Sequence, residues 1–437
     1  TGQGALDNPV ADGAPASATP LSRAALPASA TIGGLNSSVA FLGLAPGFVG
    51  LLQANLVVPA LSPADHPLIV TIGGRSSNNP RITVGSPAAG LLTRLGSADT
   101  GSGNLIAQIR DRYAYVCSGG GIAVLDIANP AHPRFVHLFS GSGGGPCRVR
   151  EGQLVTANGG SAPVLNVFSL ANPEQPVRIG GPFSLPQFSS EFTFLGNFAV
   201  FHTVWFQFTQ NPLRIFQQQG DFFSVNLADP TRPALASPLA SNPSPYFNQL
   251  AVAPDTMLLL STTNTAADTS TGLGRLVVAD TSDPANLRIL RQIAIPRTNI
   301  LQGAAVEGST ALVLGNTRSW ESPGDFAIRG NVTLTTLDLA DPRNPRPIAT
   351  TVTNGRNTFT IGRVVSLGGG WFAYAAYLTP ENRADTAIVI VDARDPNSPT
   401  IADTIPLANL AESGLTVSGD ILYATTSSSL VTFRIRR

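Results

Sequence analysis

Short apolar runs of strand length alternate along the chain with clusters of glycine, proline, asparagine and aspartate. This pattern predicts an all-β fold of short strands joined by tight turns. Several of the runs end in the same way, with Asn or Asp, then Pro, and usually a second Pro three residues later. The turn pairs are Asn129-Pro130, Asn172-Pro173, Asp229-Pro230, Asp283-Pro284, Asp341-Pro342 and Asp395-Pro396. Their spacing of 43 to 58 residues indicates a repeat fold.

The repeated turn ends one strand and directs the chain into the next. Asx side chains bond to the backbone two residues ahead, and proline fixes φ for the turn and ends the ladder. A β run follows each turn and a Gly-flanked pair of runs precedes it, so each repeat predicts the four strands of a propeller blade. A seventh copy, residues 415–435, holds three runs. Because an open blade leaves edge strands unpaired, we expect residues 90–96 to supply its fourth strand and to close a seven-bladed β-propeller over residues 86–437.

One repeat nearly spells a known family signature. The run AIVIVD at residues 387–392, followed by Asp395-Pro396, resembles the LVIVD repeat of secreted bacterial and archaeal β-propellers. The resemblance covers about residues 87–437. It implies an extracytoplasmic propeller and identifies no substrate, because propellers host many functions.

Residues 1–85 follow a different pattern, rich in Pro and Ala and then in apolar β runs. Residues 40–55 (AFLGLAPGFVGLLQAN) and 70–78 (VTIGGRSSN) resemble the Ig-like C-terminal domain common in secreted acidobacterial proteins. In that family the strand before a Thr-Gly-x-Gly segment belongs to the same sandwich, whereas here Thr1 and Gly2 begin the chain. We therefore expect a truncated Ig-like β-sandwich whose open edge near Thr1 and Gly2 accepts a strand from a neighbouring subunit. The alternative is that the open edge only reflects where this chain begins.

Composition restricts the partners and the location of the protein. Charged residues make up 12% of the chain and its formal net charge is zero, which argues against nucleic acid and anionic membranes as partners. No apolar run approaches the roughly 20 residues that a membrane-spanning helix needs. The chain begins with Thr1 and its one methionine is Met257, so we expect a processed extracellular or cell-surface protein whose leader has been removed. In such a protein Cys117 and Cys147 predict one disulfide.

No cluster of residues in the sequence identifies a chemistry. The histidines lack metal-ligand spacing, and nucleophile-elbow, zinc-protease and P-loop motifs are absent, so we expect no catalytic residue, metal or cofactor. The aspartates at one position of the repeat either line a channel as a cation-binding ring or cap their own turns, and the second interpretation is favoured. These residues are Asp126, Asp280, Asp338 and Asp392. Asn36 and Asn331 fit the sequon for an N-linked glycan.

Extra length falls between the second and third strands of several repeats. The insertions are residues 207–216, 264–272, 318–329 and 378–385. In a propeller these loops share one face, where a ligand or partner would bind. Trp205, Phe206 and Phe208 lie on a run that is apolar on both faces, which ordinary strand alternation does not give. With Trp320 they are candidate interface residues, and burial in the blade core is the alternative for this hairpin.

Two classes of function fit this sequence. The first is a non-catalytic extracellular or cell-surface structural or binding protein, whose partners are copies of itself or other surface proteins. Strand addition to an open edge is head-to-tail and would build filaments. The second is a propeller enzyme of the hydrolase or lactonase kind, or a ligand-binding propeller that uses the loop-rich face. An enzyme needs convergent acid, base or metal groups on the inner strands, and the sequence shows only scattered Asp and Arg.

Overall fold

This computed structural model describes the chain except for residues 1–3, 60, 62–63, 85–89, 102, 141–144, 159–161, 187–190, 211–212, 243–245, 263–273, 318–330, 354–359, 379–383 and 437. Within the strands, side chains are described except at residues 64–65, 83–84, 140, 203–210, 213–221, 237–242, 246–248, 262 and 360–362. All regular secondary structure of the described residues is β-strand. The chain divides into two compact units, Thr1–Ala89 and Gly90–Arg437.

The first unit has six strands in its described part. They are β1 (Ala28–Ile32), β2 (Leu35–Leu44), β3 (Leu52–Val57), β4 (Ala64–Ile72), β5 (Arg75–Ser76) and β6 (Arg81–Val84). They pair antiparallel in the order β3-β2-β1-β4-β5, and β6 pairs with β4. Gly33-Gly34 and Gly73-Gly74 form the two-residue turns β1–β2 and β4–β5, with φ between 56° and 81° at all four glycines. Such turns need positive φ at both positions, which glycine adopts without strain.

The second unit consists of seven antiparallel four-stranded sheets within the described residues. Sheets 1 to 3 contain β8 (Asn104–Arg110), β9 (Tyr113–Ser118), β10 (Gly121–Asp126) and β11 (Arg134–Ser140), then β12 (Cys147–Arg150), β13 (Gln153–Asn158), β14 (Val164–Ser169) and β15 (Val177–Ser184), then β16 (Glu191–Leu195), β17 (Phe198–Gln210), β18 (Leu213–Asn226) and β19 (Ala234–Asn242). Sheets 4 to 6 contain β20 (Tyr246–Ala253), β21 (Thr256–Thr262), β22 (Gly274–Asp280) and β23 (Arg288–Ala294), then β24 (Ile300–Glu307), β25 (Thr310–Asn316), β26 (Val332–Asp338) and β27 (Arg346–Val352), then β28 (Thr360–Gly368), β29 (Trp371–Tyr377), β30 (Thr386–Asp392) and β31 (Thr400–Pro406).

Sheet 7 joins the two ends of the unit. It contains β32 (Leu410–Ser418), β33 (Ile421–Thr426), β34 (Ser429–Ile435) and β7 (Leu92–Asp99). Strand β7 pairs antiparallel with β34, from Leu92 opposite Ile435 to Asp99 opposite Ser429. The strand therefore begins two residues after the start of the predicted segment 90–96 and continues three residues beyond its end.

The first strand of each sheet lies against the first strands of its two neighbouring sheets. The contacts run from β8 to β12, β16, β20, β24, β28 and β32, and from β32 back to β8. The first strands thus form a closed ring, and the remaining strands of each sheet follow outward in chain order. This is the arrangement in which blades pack face to face around an axis.

The middle strands are buried on both faces. Every residue of β10, β22 or β33 is buried or nearly so, because each sheet packs between two others. This explains the continuous apolar runs, which replace the alternation expected of a half-solvated strand. Within sheet 3, the Phe201 ring on β17 stacks on Phe192 of β16 and Phe223 of β18 at centroid distances of 4.9 and 5.1 Å. Each such buried ring stabilises the fold by roughly 1.5–3 kcal/mol relative to an exposed one.

The Asx-Pro turn joins the third strand of a sheet to the fourth. In sheet 1 the Asn129 side chain accepts a hydrogen bond from the Ala131 N–H at 3.1 Å, and the Asn129 carbonyl accepts one from the His132 N–H at 2.9 Å. The same side-chain bond recurs in the other five copies, at Asn172, Asp229, Asp283, Asp341 and Asp395. The predicted turn chemistry is therefore present in all six copies.

The same turn also holds neighbouring sheets together. In four interfaces a hydroxyl of one sheet donates to the carbonyl of the turn proline in the next sheet. The pairs are Tyr115 with Pro173, Ser224 with Pro284, Thr336 with Pro396, and Thr432 with Pro130. Because Thr432 lies in sheet 7 and Pro130 in sheet 1, one of these bonds spans the closure. The repeated motif thus stabilises the ring between sheets as well as the turn within a sheet.

Candidate functional site

The repeated aspartates at the strand ends are engaged in their own turns. Each carboxylate accepts a backbone N–H two residues ahead, over 2.9 to 3.1 Å, in the pairs Asp126 with Ala128, Asp280 with Ser282, Asp338 with Ala340 and Asp392 with Arg394. Among the residues that the structure describes, no group of three or more His, Cys, Asp and Glu side chains converges as metal ligands would. The geometry therefore supports turn capping over a cation-binding ring.

Asp280 has the most contacts of these aspartates, and they join two sheets. Its carboxylate accepts the Ser282 hydroxyl at 2.6 Å and the Arg343 guanidinium of sheet 5 at 2.8 Å. Arg343 also donates to Asp255 of sheet 4 at 3.0 Å. These bonds lower the pKa of Asp280 to about 2, and the hydrogen bonds from Ser282 are the largest cause. A carboxylate held ionised in this way is a poor general acid or base at neutral pH.

Cys117 and Cys147 form the predicted disulfide. Cys117 lies on β9 of sheet 1 and Cys147 begins β12 of sheet 2, 30 residues later. Both are buried, and they pack in an apolar cluster with Ile106, Tyr115 and Leu154. The bond therefore joins two neighbouring sheets near the inner ring.

Three charged side chains of the first strands meet in one cluster. Arg148 of β12 donates through Nη2 to the carboxylate of Glu191 on β16, and through Nε to the Phe192 carbonyl at 2.9 Å. Arg363 of β28 places Nη2 3.7 Å from the same Glu191 oxygen, Oε1. Since β16 and β28 are not neighbours in the ring, these side chains meet across its centre. We call Arg148, Glu191 and Arg363 the axial cluster.

The axial cluster is largely shielded from water and carries unequal charges. The side chains of Arg148, Glu191 and Arg363 are 15%, 14% and 23% exposed. Burial raises the pKa of Glu191, and the attraction of Arg148 opposes that effect. Two guanidiniums facing one carboxylate leave a net positive charge when all three are ionised, since arginine stays protonated in proteins. The excess positive charge of these three side chains therefore favours an anion.

In the first unit, an uncharged strand forms an edge of the sheet. Strand β3 pairs with β2 alone among the described strands. Large apolar side chains on β3 and beside it are exposed, namely Phe48 at 59%, Val49 at 59%, Leu51 at 49%, Leu52 at 37%, Val57 at 57% and Val58 at 50%. Residues 24–64 contain no Asp, Glu, Lys or Arg. We call β3 with these neighbouring apolar residues the apolar edge.

Of the predicted interface residues, three lie on a described strand and three lie outside the described residues. Thr1, Gly2 and Trp320 lie outside the described residues, as do most residues of the four predicted insertions. The backbones of Trp205, Phe206 and Phe208 lie on β17, opposite Gln219, Gln218 and Ile215 of β18. Their side chains lie outside the described residues, so their role as interface or core stays a prediction. Residues 378 and 384–385 lie between β29 and β30, the second and third strands of sheet 6, whereas residues 207–210 and 213–216 belong to β17 and β18 themselves.

The two sequons occupy different environments. Asn36 is exposed on β2, beside the Gly33-Gly34 turn. Asn331 is exposed, whereas the hydroxyl of its sequon partner Thr333 is buried and accepts a hydrogen bond from Thr298 at 2.9 Å. A glycan at either asparagine stays a prediction.

Two features of the structure were missed by the sequence reasoning. The axial cluster has no local signal, since Glu191 lies 43 residues after Arg148 and 172 residues before Arg363. The apolar edge does have a local sequence signal, because 41 consecutive residues without a charged side chain stand out even in a charge-poor chain. An uncharged strand of that kind lacks the lysines and other charges by which natural edge strands resist pairing.

Comparison with known sequences identifies one repeat family. The family model of the LVIVD repeat matches residues 108–140, which include the first copy of the predicted motif. No curated protein sequence matches the chain significantly. The described residues contain no helix of the length and hydrophobicity that a membrane crossing requires.

The solved structures that resemble this chain include several proteins of low sequence identity. A chain of the mitotic checkpoint complex has a TM-score of 0.50 at 9% identity, covering 82% of this chain and 99% of its own. The WD40 β-propeller domain of Doa1 has a TM-score of 0.46 at 10% identity, covering 78% and 98%. A hypothetical selenium-binding protein from Sulfolobus tokodaii has a TM-score of 0.47 at 10% identity, covering 80% and 88%. Together with the LVIVD match and the repeated four-stranded sheets, the fold comparison identifies an all-β chain that contains a β-propeller.

Proposed function

We propose that residues 90–437 form one closed, seven-bladed β-propeller and that residues 1–89 form an Ig-like β-sandwich. Support for the propeller comes from the seven four-stranded sheets and from the closed ring of their first strands. The pairing of β7 with β34 supports closure by strand exchange between the two ends of the unit. Support for the Ig-like interpretation comes from the antiparallel pairing of the described strands of the first unit and from its Gly-Gly hairpin turns.

We propose further that the protein is a non-catalytic, extracellular structural and binding protein that assembles with copies of itself through the apolar edge. The observation that carries this proposal is the uncharged edge strand β3 and its exposed apolar side chains. An unprotected edge presents a row of unpaired N–H and C=O groups to any strand that approaches it. Pairing with another chain would satisfy these groups and cover the apolar side chains.

The outer strands of the propeller sheets contrast with β3. Arginine or aspartate occupies most of these strands, as in Arg134 on β11, Arg178 on β15, Arg346 on β27 and Asp403 on β31. Charges at a sheet edge oppose pairing, because a docking strand would have to desolvate them. Among the described edges β3 is therefore the better acceptor, since it has neither a charged residue nor a proline.

A second copy of this chain is the occupant that we propose. The formal net charge is zero, with 27 basic and 27 acidic residues, so two copies approach each other without net repulsion. Charge-poor proteins near neutrality also associate more readily than highly charged ones. Head-to-tail use of the edge would give filaments, whereas self-complementary pairing of two β3 strands would give a closed dimer.

The orientation of β3 allows a sharp test. The Ala45 N–H donates to the Leu51 carbonyl at 2.8 Å, and Gln53 lies opposite Gly43. Because backbone groups alternate in direction along an antiparallel pair, Leu51 and Gln53 face β2 and Ala54 faces outward. Ala54→Pro therefore removes an outward N–H and keeps the pairing with β2, as proline does at natural edges.

Negative-stain electron microscopy and light scattering of the intact protein at several concentrations would test the proposal. We expect assemblies in the wild type, loss of assembly in Ala54→Pro, and retention of assembly in Ala54→Ser, which keeps the N–H. Val177→Lys controls for the removal of an exposed apolar side chain elsewhere, since Val177 is 62% exposed on β15. A monomeric wild type at all concentrations, or an Ala54→Pro variant that assembles normally, would contradict the proposal.

The extracellular location is supported by the disulfide, because such bonds persist in oxidising compartments and are rare in the cytosol. Localisation of the epitope-tagged chain in its own cells, by surface proteolysis of intact cells, tests this part. Protection of the chain from protease in intact cells, with degradation after lysis, would place it inside and contradict the proposal.

A further inference from the structure

The axial cluster contains an arginine with unused hydrogen-bonding capacity. A guanidinium carries five N–H donors in a planar fork. Within the described residues, Arg363 has one polar contact, the 3.7 Å approach of its Nη2 to Glu191 Oε1, which is too long for a good hydrogen bond. Arg148, in contrast, is held by both the Glu191 carboxylate and the Phe192 carbonyl. Arg363 therefore has donors free to bind an additional acceptor.

The charges around Arg363 favour an anion. The three side chains are 77% to 86% shielded from solvent, since their exposures are 23%, 15% and 14%. A charge withheld from water without a partner is costly, and Glu191 is shared between two guanidiniums. A second carboxylate beside Arg363 would make the cluster neutral and would pair with its fork in the bidentate geometry that arginine forms best.

The position of the cluster indicates how a ligand would reach it. Glu191 is the first residue of β16 and Arg148 the second of β12. The first strands begin at the end of the sheets where the second-to-third strand connections also lie, because strands alternate in direction within each sheet. The cluster thus lies toward the face where the second strand of each sheet connects to the third, and loops on a rigid scaffold often carry binding residues.

We propose that the axial cluster binds a single carboxylate, from an acidic sugar or from a peptide C-terminus, and that Arg363 is the residue that donates hydrogen bonds to it. This inference is independent of assembly through the apolar edge. The two sources share one chemistry, a monoanionic planar carboxylate, and the experiment distinguishes them. Glu191 positions Arg148 and keeps the net charge low, so that a single carboxylate suffices.

Isothermal titration of the intact protein at constant ionic strength tests the proposal. The probes are glucuronate for acidic sugars and N-acetylglycine for peptide C-termini, with glucose and N-acetylglycine amide as neutral controls. We expect one of the two acids to bind and both neutral controls to fail. Arg363→Gln is expected to weaken that binding by about tenfold or more, the effect of losing a charge-assisted hydrogen bond. Arg178→Gln, an exposed change on β15, should leave the affinity unchanged.

A second variant distinguishes a binding site from a merely structural ion cluster. Glu191→Gln removes the competing carboxylate and keeps both guanidiniums, so it is expected to bind the same acid more tightly. A structural cluster would lose stability in this variant and gain no affinity. Failure of the wild type to bind either acid, or equal binding by wild type and Arg363→Gln, would overturn the proposal. If Arg363→Gln does not fold, unchanged or weaker binding by Glu191→Gln overturns it.

Discussion

The disulfide between Cys117 and Cys147 allows a quantitative test of how the first two sheets are held together. The two sulfurs join β9 of sheet 1 to β12 of sheet 2, and both residues are at most 2% exposed. The perturbation is the double variant Cys117→Ala/Cys147→Ala, and its counterpart is reduction of the wild-type protein. Reduction breaks only the cross-link, whereas the double variant also removes two buried sulfur atoms.

The magnitude follows from the length of chain that the bond closes. Cross-linking residues 30 apart lowers the entropy of the unfolded chain, which on the loop-closure model stabilises the fold by about 3.6 kcal/mol at 25 °C. The double variant is expected to cost about 1 kcal/mol more, because the smaller side chains leave space in the cluster with Ile106 and Leu154. We therefore expect reduced wild type to lie between the oxidised protein and the double variant.

Unfolding in guanidinium chloride, followed by tryptophan fluorescence, measures these differences in the free energy of unfolding for the second unit. All three tryptophans, Trp205, Trp320 and Trp371, belong to Gly90–Arg437, so fluorescence reports that unit and not the first one. The double variant in reductant serves as the control, because reductant must leave it unchanged. An oxidised and a reduced wild type with the same unfolding midpoint and slope would refute the reasoning, since the bond would then constrain no part of the cooperative unit.

Three further predictions concern the contacts between neighbouring sheets. Thr336→Val, which removes the hydroxyl bonded to the Pro396 carbonyl, is expected to cost about 1 kcal/mol by guanidinium unfolding, and an unchanged free energy would show that water replaces the bond. The pKa of Asp280 is lowered to about 2, so its contribution to stability is complete above the ordinary carboxyl pKa and is lost as the pH falls from about 4 to about 2. Asp280→Asn should therefore flatten the dependence of the free energy of unfolding on pH in that range, and an unaltered dependence would contradict this. Gly180→Ala places a Cβ 1.9 Å from the Pro230 carbonyl oxygen and should destabilise the protein by more than about 1 kcal/mol. Gly119→Ala is the control, because a Cβ at Gly119 meets open space, and equal stability of the two variants would contradict the close packing of sheets 2 and 3.

The repeat and its turns could be predicted because they depend on local chemistry. Proline and Asx residues act on the backbone within two residues of themselves, so Asn129-Pro130 and its copies predicted where third strands end. The disulfide was predictable for another reason, because two cysteines in a chain allow a single pairing. Neither inference required knowledge of which sheets are neighbours.

The contacts between sheets could not be predicted from the sequence in the same way. Thr432 and Pro130 are 302 residues apart and are joined by a hydrogen bond of 2.6 Å that depends on closure of the ring. Threonine in a strand also has an ordinary explanation in β-propensity, so its hydroxyl gave no signal of a partner. The axial cluster is harder still, because Arg148, Glu191 and Arg363 become neighbours only when the first strands converge.

The distribution of these contacts indicates where function should be sought in this chain. The repeated Asx residues bond to their own turns, and prolines of those turns accept hydroxyls from the preceding sheet, so the repeated positions are occupied in building the ring. A ligand or partner must therefore be recognised by positions that differ from repeat to repeat. Arg148 and Arg363 are such positions, and the uncharged strand β3 lies outside the repeats altogether. The two sites share no residue, so we expect Ala54→Pro to bind the carboxylate with wild-type affinity, and a weaker affinity would contradict the assignment of the two functions to separate sites.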